Sequence, residues 1–192
     1  MIIAITGLMG VGKTTVSQMF ESLGANVINA DDIGHELLCR NEVKNRILSE
    51  FGSDVLTDDI IDREKLASKV FNDESRLEKL NKIMHPLLIS EIKNKIKFGK
   101  IYVIDAALFY ELKLNELSDF TIKVTSSRGN IIRRLAKRKL NKEQVLQRHD
   151  IQKEAADPDF IINNDSTLEK TKEQVKNMWG RLIENRNLSG KL

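Results

Sequence analysis

An α/β protein built on a five-stranded parallel sheet is what this chain predicts, and three observations carry that reading. Five short apolar runs, at residues 2–6, 26–30, 101–105, 120–125 and 160–163, are each bounded by polar or turn residues. Their apolar side chains fall on both faces, as a parallel sheet covered on both sides requires. Helical stretches follow at about residues 13–23, 32–39, 127–139 and 167–185, so strand and helix alternate. Ten aromatics and two prolines in 192 residues, with 41% hydrophobic residues and a mean hydropathy of −0.33, argue for a globular chain and against a β-rich or disordered one.

Taken in order, the first strand runs into a glycine-rich segment and then a helix. The second is followed by a long helical stretch over residues 41–99, where Asp62 and Asp73 are placed to cap helices. An all-helical insertion between the second and third strands is therefore predicted. A second helical excursion, residues 141–157, lies between the helix after strand four and strand five and reads as a lid. Trp179 has helical spacing with Val175, Leu182 and Ile183, which predicts a core stripe in the last helix. The length suits one domain with insertions: a core of about residues 1–32, 100–138 and 158–192, an insertion of 33–99 and a lid of 139–157.

Several classes drop out. The apolar start has no basic segment before it and no small-residue cleavage site after it, so it does not read as a signal peptide. No apolar run approaches the ~20 residues of a membrane span. Cys39 is the only cysteine and has no internal partner, which fits a reducing, cytoplasmic setting. The net charge of +3 hides a concentration: residues 121–148 hold nine Lys or Arg against one acid, Glu143. Such a segment suits a polyanionic ligand or a solvated helix face. The lack of aromatics among the basic residues disfavours a single-strand nucleic-acid platform.

Gly7-Leu8-Met9-Gly10-Val11-Gly12-Lys13-Thr14 fits G-x-x-x-x-G-K-[ST] directly after an apolar strand and at the start of a helix. Glycines allow a tight loop whose backbone N–H groups point at phosphate oxygens, and the helix start adds positive potential. Lys13 supplies a point charge to the β and γ phosphates, and Thr14, with Thr15 beside it, presents a hydroxyl to the phosphate and Mg²⁺ region. ATP and Mg²⁺ are the implied cofactors. The N-K-x-D base-reading motif of switch GTPases is not found, and a helical insertion with a basic lid resembles the small-metabolite kinases.

After the second strand comes Val27-Ile28-Asn29-Ala30-Asp31-Asp32-Ile33-Gly34-His35, which resembles the V-I-D-A-D-x-I-[AG]-H segment of dephospho-coenzyme A kinases. Phe51-Gly52, Ile61-Asp62-Arg63-x-x-Leu66, Val70-Phe71, Met84-His85-Pro86 and Asp105-Ala106-Ala107-Leu108-Phe109-Tyr110-Glu111 are similar to later stations of that family. So are Arg134-Leu135-x-x-Arg138 and Pro158-Asp159-Phe160-Ile161-Ile162-Asn163-Asn164, in the same order, with the likeness covering about residues 2–165. Asn29 departs from the family's first Asp, and Ile131 stands where a Gln is usual.

What the resemblance implies is a three-layer P-loop kinase that transfers the ATP γ-phosphoryl group to the ribose 3′-hydroxyl of dephospho-CoA, the last step of coenzyme A synthesis. Its insertion would hold the acceptor. A ribose hydroxyl is a weak nucleophile, so a carboxylate placed to accept its proton is needed, and Asp31 is assigned that role, with helix capping as its structural alternative. Arg134 and Arg138, i and i+4, would turn guanidiniums toward the developing phosphoryl charge. Asp105 is expected near Mg²⁺ or the acceptor, Thr6 to orient Asp31 or the acceptor, and Phe109 and His85 to belong to the acceptor pocket, His85 mainly as a structural residue. A monomer without nucleic-acid or membrane partners is expected.

Overall fold

The computed structural model describes residues 1–70, 73–107, 111–136 and 157–189. They form two compact units, one of Met1–Asn29 with Ile96–Leu192 and one of Ala30–Lys95. The second unit begins and ends three to four residues earlier than the insertion predicted from the sequence.

In the first unit, strand β1 (Ile2–Thr6) is followed by helix α1 (Lys13–Ser22) and strand β2 (Asn26–Asn29). After the second unit come β5 (Tyr102–Asp105), β6 (Phe120–Thr125), helix α6 (Arg128–Ala136), β7 (Phe160–Asn163) and α7 (Leu168–Ser189). All pairings in the sheet are parallel, and its order is β2-β5-β1-β6-β7. The central strand β1 is flanked on both sides, Ile5 standing opposite Asp105 on one neighbour and Ile122 on the other. That double flanking is why Ile3, Ala4 and Ile5 are fully buried and why the run lacks polar alternation. All five predicted strands are present, each within one residue of its expected bounds.

Helices α1 and α7 cover one face of the sheet's core. Val16, Met19 and Phe20 of α1 pack with Val175, Met178 and Leu182 of α7, and the Phe20 and Trp179 rings lie 6.1 Å apart and tilted by 54°. Trp179 is thus part of the predicted core stripe. Complete burial of Phe20 alone contributes about 1.5–3 kcal/mol of transfer free energy.

The second unit contains α2 (Ala30–Leu38), α3 (Asn41–Phe51), a 3₁₀ turn (Ser53–Val55), strands β3 (Leu56–Thr57) and β4 (Ile60–Ile61), α4 (Arg63–Val70) and α5 (Glu74–Lys95). Val43, Ile47, Phe51, Val55, Ile61, Leu66, Val70 and Ile83 form its core. The Asp62 carboxylate accepts from the Glu64 and Lys65 amides at 3.0 and 3.1 Å, and that of Asp73 from the Arg76 amide at 3.0 Å. Both predicted caps are present. The all-helical expectation is corrected by the β3–β4 hairpin, whose Asp58 and Asp59 adopt φ of 50° and 61°. Two consecutive positive φ values make the tight turn whose twist matches paired strands. Lys44 stabilises it by donating to the Asp59 carbonyl at 2.6 Å.

Candidate functional site

The loop between β1 and α1 is built by sterics. Gly7, Gly10 and Gly12 adopt φ of 140°, 87° and 99°, a region costly for any side chain. A Cβ on Gly7 would sit well inside contact distance of the Val124 carbonyl oxygen, so β6 presses directly on the loop's start. Gly10 lies against Ile131 and Leu135 of α6. The departure at Ile131 therefore has a packing function: it is buried and fills the surface beneath the loop.

Helix α1 starts at Lys13 with Gly12 before it, a residue with no side chain to cap the first turn, and that turn holds no acidic residue. Its N–H groups are left to a ligand's oxygens, favoured by the helix dipole. The Lys13 ammonium donates to the Gly7 carbonyl at 2.8 Å and that of Leu8 at 3.3 Å, which folds it across its own loop. Thr14 is exposed and Thr15 half-buried, whereas the Val11 side chain packs into the core, so Val11 offers only its backbone.

The remaining expected residues come from four elements. Thr6 is buried at the end of β1. Asp105 ends β5 with only 5% exposure, in register with Ile5 of β1 and Asn29 of β2. In the second unit, Asp31 is exposed in the first turn of α2 and His85 is half-buried in α5. Because α2 starts at Ala30, Asp31 lies within the helix and not at its cap. Phe109, Arg138 and the lid of residues 139–157, but for its last residue, lie outside the described residues.

Arg134 lies against the loop: Nη1 donates to the carbonyls of Val11 and Gly10 at 2.9 and 3.4 Å and to Ser126 Oγ at 3.1 Å. Nη2 donates to the Asn164 carbonyl at 2.7 Å. The physical reason is burial, because a half-buried guanidinium must find acceptors and four lie on the backbone and turn around it. Arg134 thus ties the loop to the turn after β7.

That turn holds the residues sequence reasoning missed. Asn164 Nδ2 donates to the Val11 carbonyl at 2.8 Å, and Thr171 Oγ1 donates to Asn164 Oδ1 at 3.0 Å. Asp165 accepts from the Ser127 amide, from Ser126 Oγ at 3.1 Å and from Asn130 Nδ2 at 3.0 Å, capping α6 from another element. These bonds, Ser127 foremost, hold its carboxyl down at about 2. Asn164 had stood out only as a station in the resemblance.

The family model described as dephospho-CoA kinase matches residues 1–170. The chain belongs to the dephospho-CoA kinase family. A dephospho-CoA kinase of Helicobacter pylori is 35% identical over 192 residues, covering 94% of this chain and 97% of the relative. One of Dehalococcoides mccartyi is 37% identical over 188 residues, covering 91% and 94%. Among solved structures, TT1252 from Thermus thermophilus superposes with a TM-score of 0.78 at 26% identity, covering 95% of this chain and 97% of that one. A dephospho-CoA kinase of Campylobacter jejuni gives 0.71 at 24%, covering 96% and 98%, and shares the fold. An Acinetobacter baumannii shikimate kinase, at 0.54 and 11% identity with coverage of 96% and 94%, marks the wider P-loop kinase fold. Among the described residues no helix is long and apolar enough to cross a membrane.

Proposed function

We propose that this member of the dephospho-CoA kinase family transfers the γ-phosphoryl group of ATP to the ribose 3′-hydroxyl of dephospho-CoA, completing coenzyme A in the cytoplasm. The observation that carries the reading is the Gly7–Thr14 loop, with its three positive-φ glycines and Lys13, inside a chain whose residues 1–170 match that family. The loop's amides and Lys13 hold the triphosphate. The acceptor oxygen attacks the γ-phosphorus while the bond to the β-bridging oxygen breaks, and ADP leaves. Asp31 accepts the hydroxyl proton, and Arg138 donates to the equatorial oxygens of the group in flight. Phe109 and His85 belong to the acceptor side, Thr6 to positioning, and the protein works as a monomer without nucleic acid.

Mg²⁺ fits the donors present. Thr14 offers an exposed hydroxyl and Asp105 a buried carboxylate, both hard oxygen ligands. Among the described residues no three His, Cys, Asp or Glu side chains cluster, which suits an ion held largely by nucleotide oxygens and water. When bound, it would neutralise charge on the phosphates.

Incubation with ATP, Mg²⁺ and dephospho-CoA should yield a product that mass spectrometry identifies as phosphorylated at the 3′ position. Dephospho-CoA should stimulate ADP formation strongly, while AMP, CMP and gluconate do not. Stimulation by one of those three and not by dephospho-CoA would overturn the assignment.

A further inference from the structure

The Val11–Gly12 peptide is the point where three elements meet. Its carbonyl accepts from both Asn164 Nδ2, at 2.8 Å, and Arg134 Nη1, at 2.9 Å. In a planar trans peptide the C=O and the following N–H point in opposite directions. Fixing the Val11 oxygen toward the turn after β7 therefore aims the Gly12 N–H to the opposite side, away from Asn164 and Arg134. Gly12 permits this geometry, because a Cβ there would collide with the Asn164 amide.

Asn164 can hold the carbonyl only with its nitrogen facing it, since a flipped amide would set oxygen against oxygen. With Nδ2 on the Val11 carbonyl, Oδ1 faces Thr171, fully buried in α7, whose single hydroxyl proton goes to Asn164 Oδ1 at 3.0 Å in preference to the Thr167 carbonyl at 3.3 Å and so holds the amide in that orientation. Asn164 itself is 6% exposed, so water does not compete freely for its amide.

The geometry points to Thr171 and Asn164 as positioning residues that act through the Val11–Gly12 peptide to aim the Gly12 amide at the nucleotide's phosphates. This rests on the reading that the loop binds ATP, not on the identity of the acceptor. Neither side chain needs to touch the nucleotide. Their contribution is preorganisation, and it should appear in nucleotide affinity and leave acceptor affinity alone.

The test uses the full chain. ATP affinity is measured by calorimetry, and KM for ATP and for dephospho-CoA by ADP release, in wild type, Thr171→Val, Thr171→Ser and Asn164→Ala. Thr171→Val keeps the shape and removes one neutral hydrogen bond, so ATP Kd and KM should rise about five-fold. KM for dephospho-CoA should stay at the wild-type value, and Thr171→Ser should restore ATP affinity. Asn164→Ala, which should weaken ATP by at least as much, decides the matter if Thr171→Val does not fold. Unchanged ATP affinity in a folded variant, or an equal rise in both KM values, overturns the relay alone. A wild-type protein that binds no ATP overturns the nucleotide reading and the relay with it.

Discussion

Replacing Gly7 by alanine separates the two reasons for a glycine in the phosphate loop. At φ of 140° any Cβ is strained, at about 1–2 kcal/mol. The new methyl would also press on the Val124 carbonyl oxygen, which belongs to β6 and cannot rotate away; enforced overpacking of this kind adds about 1–3 kcal/mol. The sum is roughly 3 kcal/mol. For a chain of this size about 2–4 °C is lost per kcal/mol, so Tm should fall by roughly 10 °C. Two controls isolate the terms. Gly24 has φ of 105° but nothing within 4 Å of its added Cβ, so Gly24→Ala should lose only about 3 °C through backbone strain. Gly180, inside α7 with open space around it, should gain about 1 kcal/mol as alanine, because glycine is a poor helix former. Thermal unfolding followed by circular dichroism gives all three. If Gly7→Ala melts no lower than Gly24→Ala, the pressure of β6 on the loop is not what requires glycine at position 7.

Asp31→Asn should lower kcat by about 10²-fold or more while ATP affinity, read by calorimetry, stays near wild type; unchanged turnover would remove Asp31 from proton transfer. Asp62→Ala removes the cap of α4 and its 2.7 Å bond from Thr57, so urea unfolding should show about 1 kcal/mol less stability. Asp165 has a folded-state pKa lowered from 3.8 to about 2, so its stabilisation is fully present above about pH 5 and is lost as pH falls from there through about 2. The Tm advantage of wild type over Asp165→Asn should therefore be constant above about pH 5 and close below pH 4. An advantage at pH 2 as large as that at pH 6 would contradict the cited bonds.

The sheet was legible because each strand is a short run rich in apolar residues between polar or turn segments, and the loop because its motif is contiguous. The β3–β4 hairpin was not. Its strands have two residues each, too few for an alternating pattern, and Asp58-Asp59 lacks the glycine that usually marks such a turn. Arg134 stood out through its charge and helical spacing, but its tie to the loop did not, since three of the four acceptors that engage it are carbonyls, which every residue has. The Thr171–Asn164–Val11 chain was equally hidden, since Asn164 and Val11 are 153 positions apart and nothing local couples them. By contrast the caps at Asp62 and Asp73 depend on neighbours two and three residues away, and both were read correctly.

The strand order has a consequence for the newly made chain. Among the described residues, β2 pairs only with β5, and β1 only with β5 and β6. Neither of the first two strands has a hydrogen-bonding partner until Tyr102–Asp105 has been synthesised. Ala30–Lys95, with a core of its own, is complete before that moment. The phosphate loop waits longer still. Its first glycine is shaped by Val124, its underside by Leu135, and its last peptide by Asn164 and Thr171. The Gly7–Thr14 loop thus takes its final form only once synthesis has passed Thr171, and a ribosome stalled before that residue carries the motif without its supports.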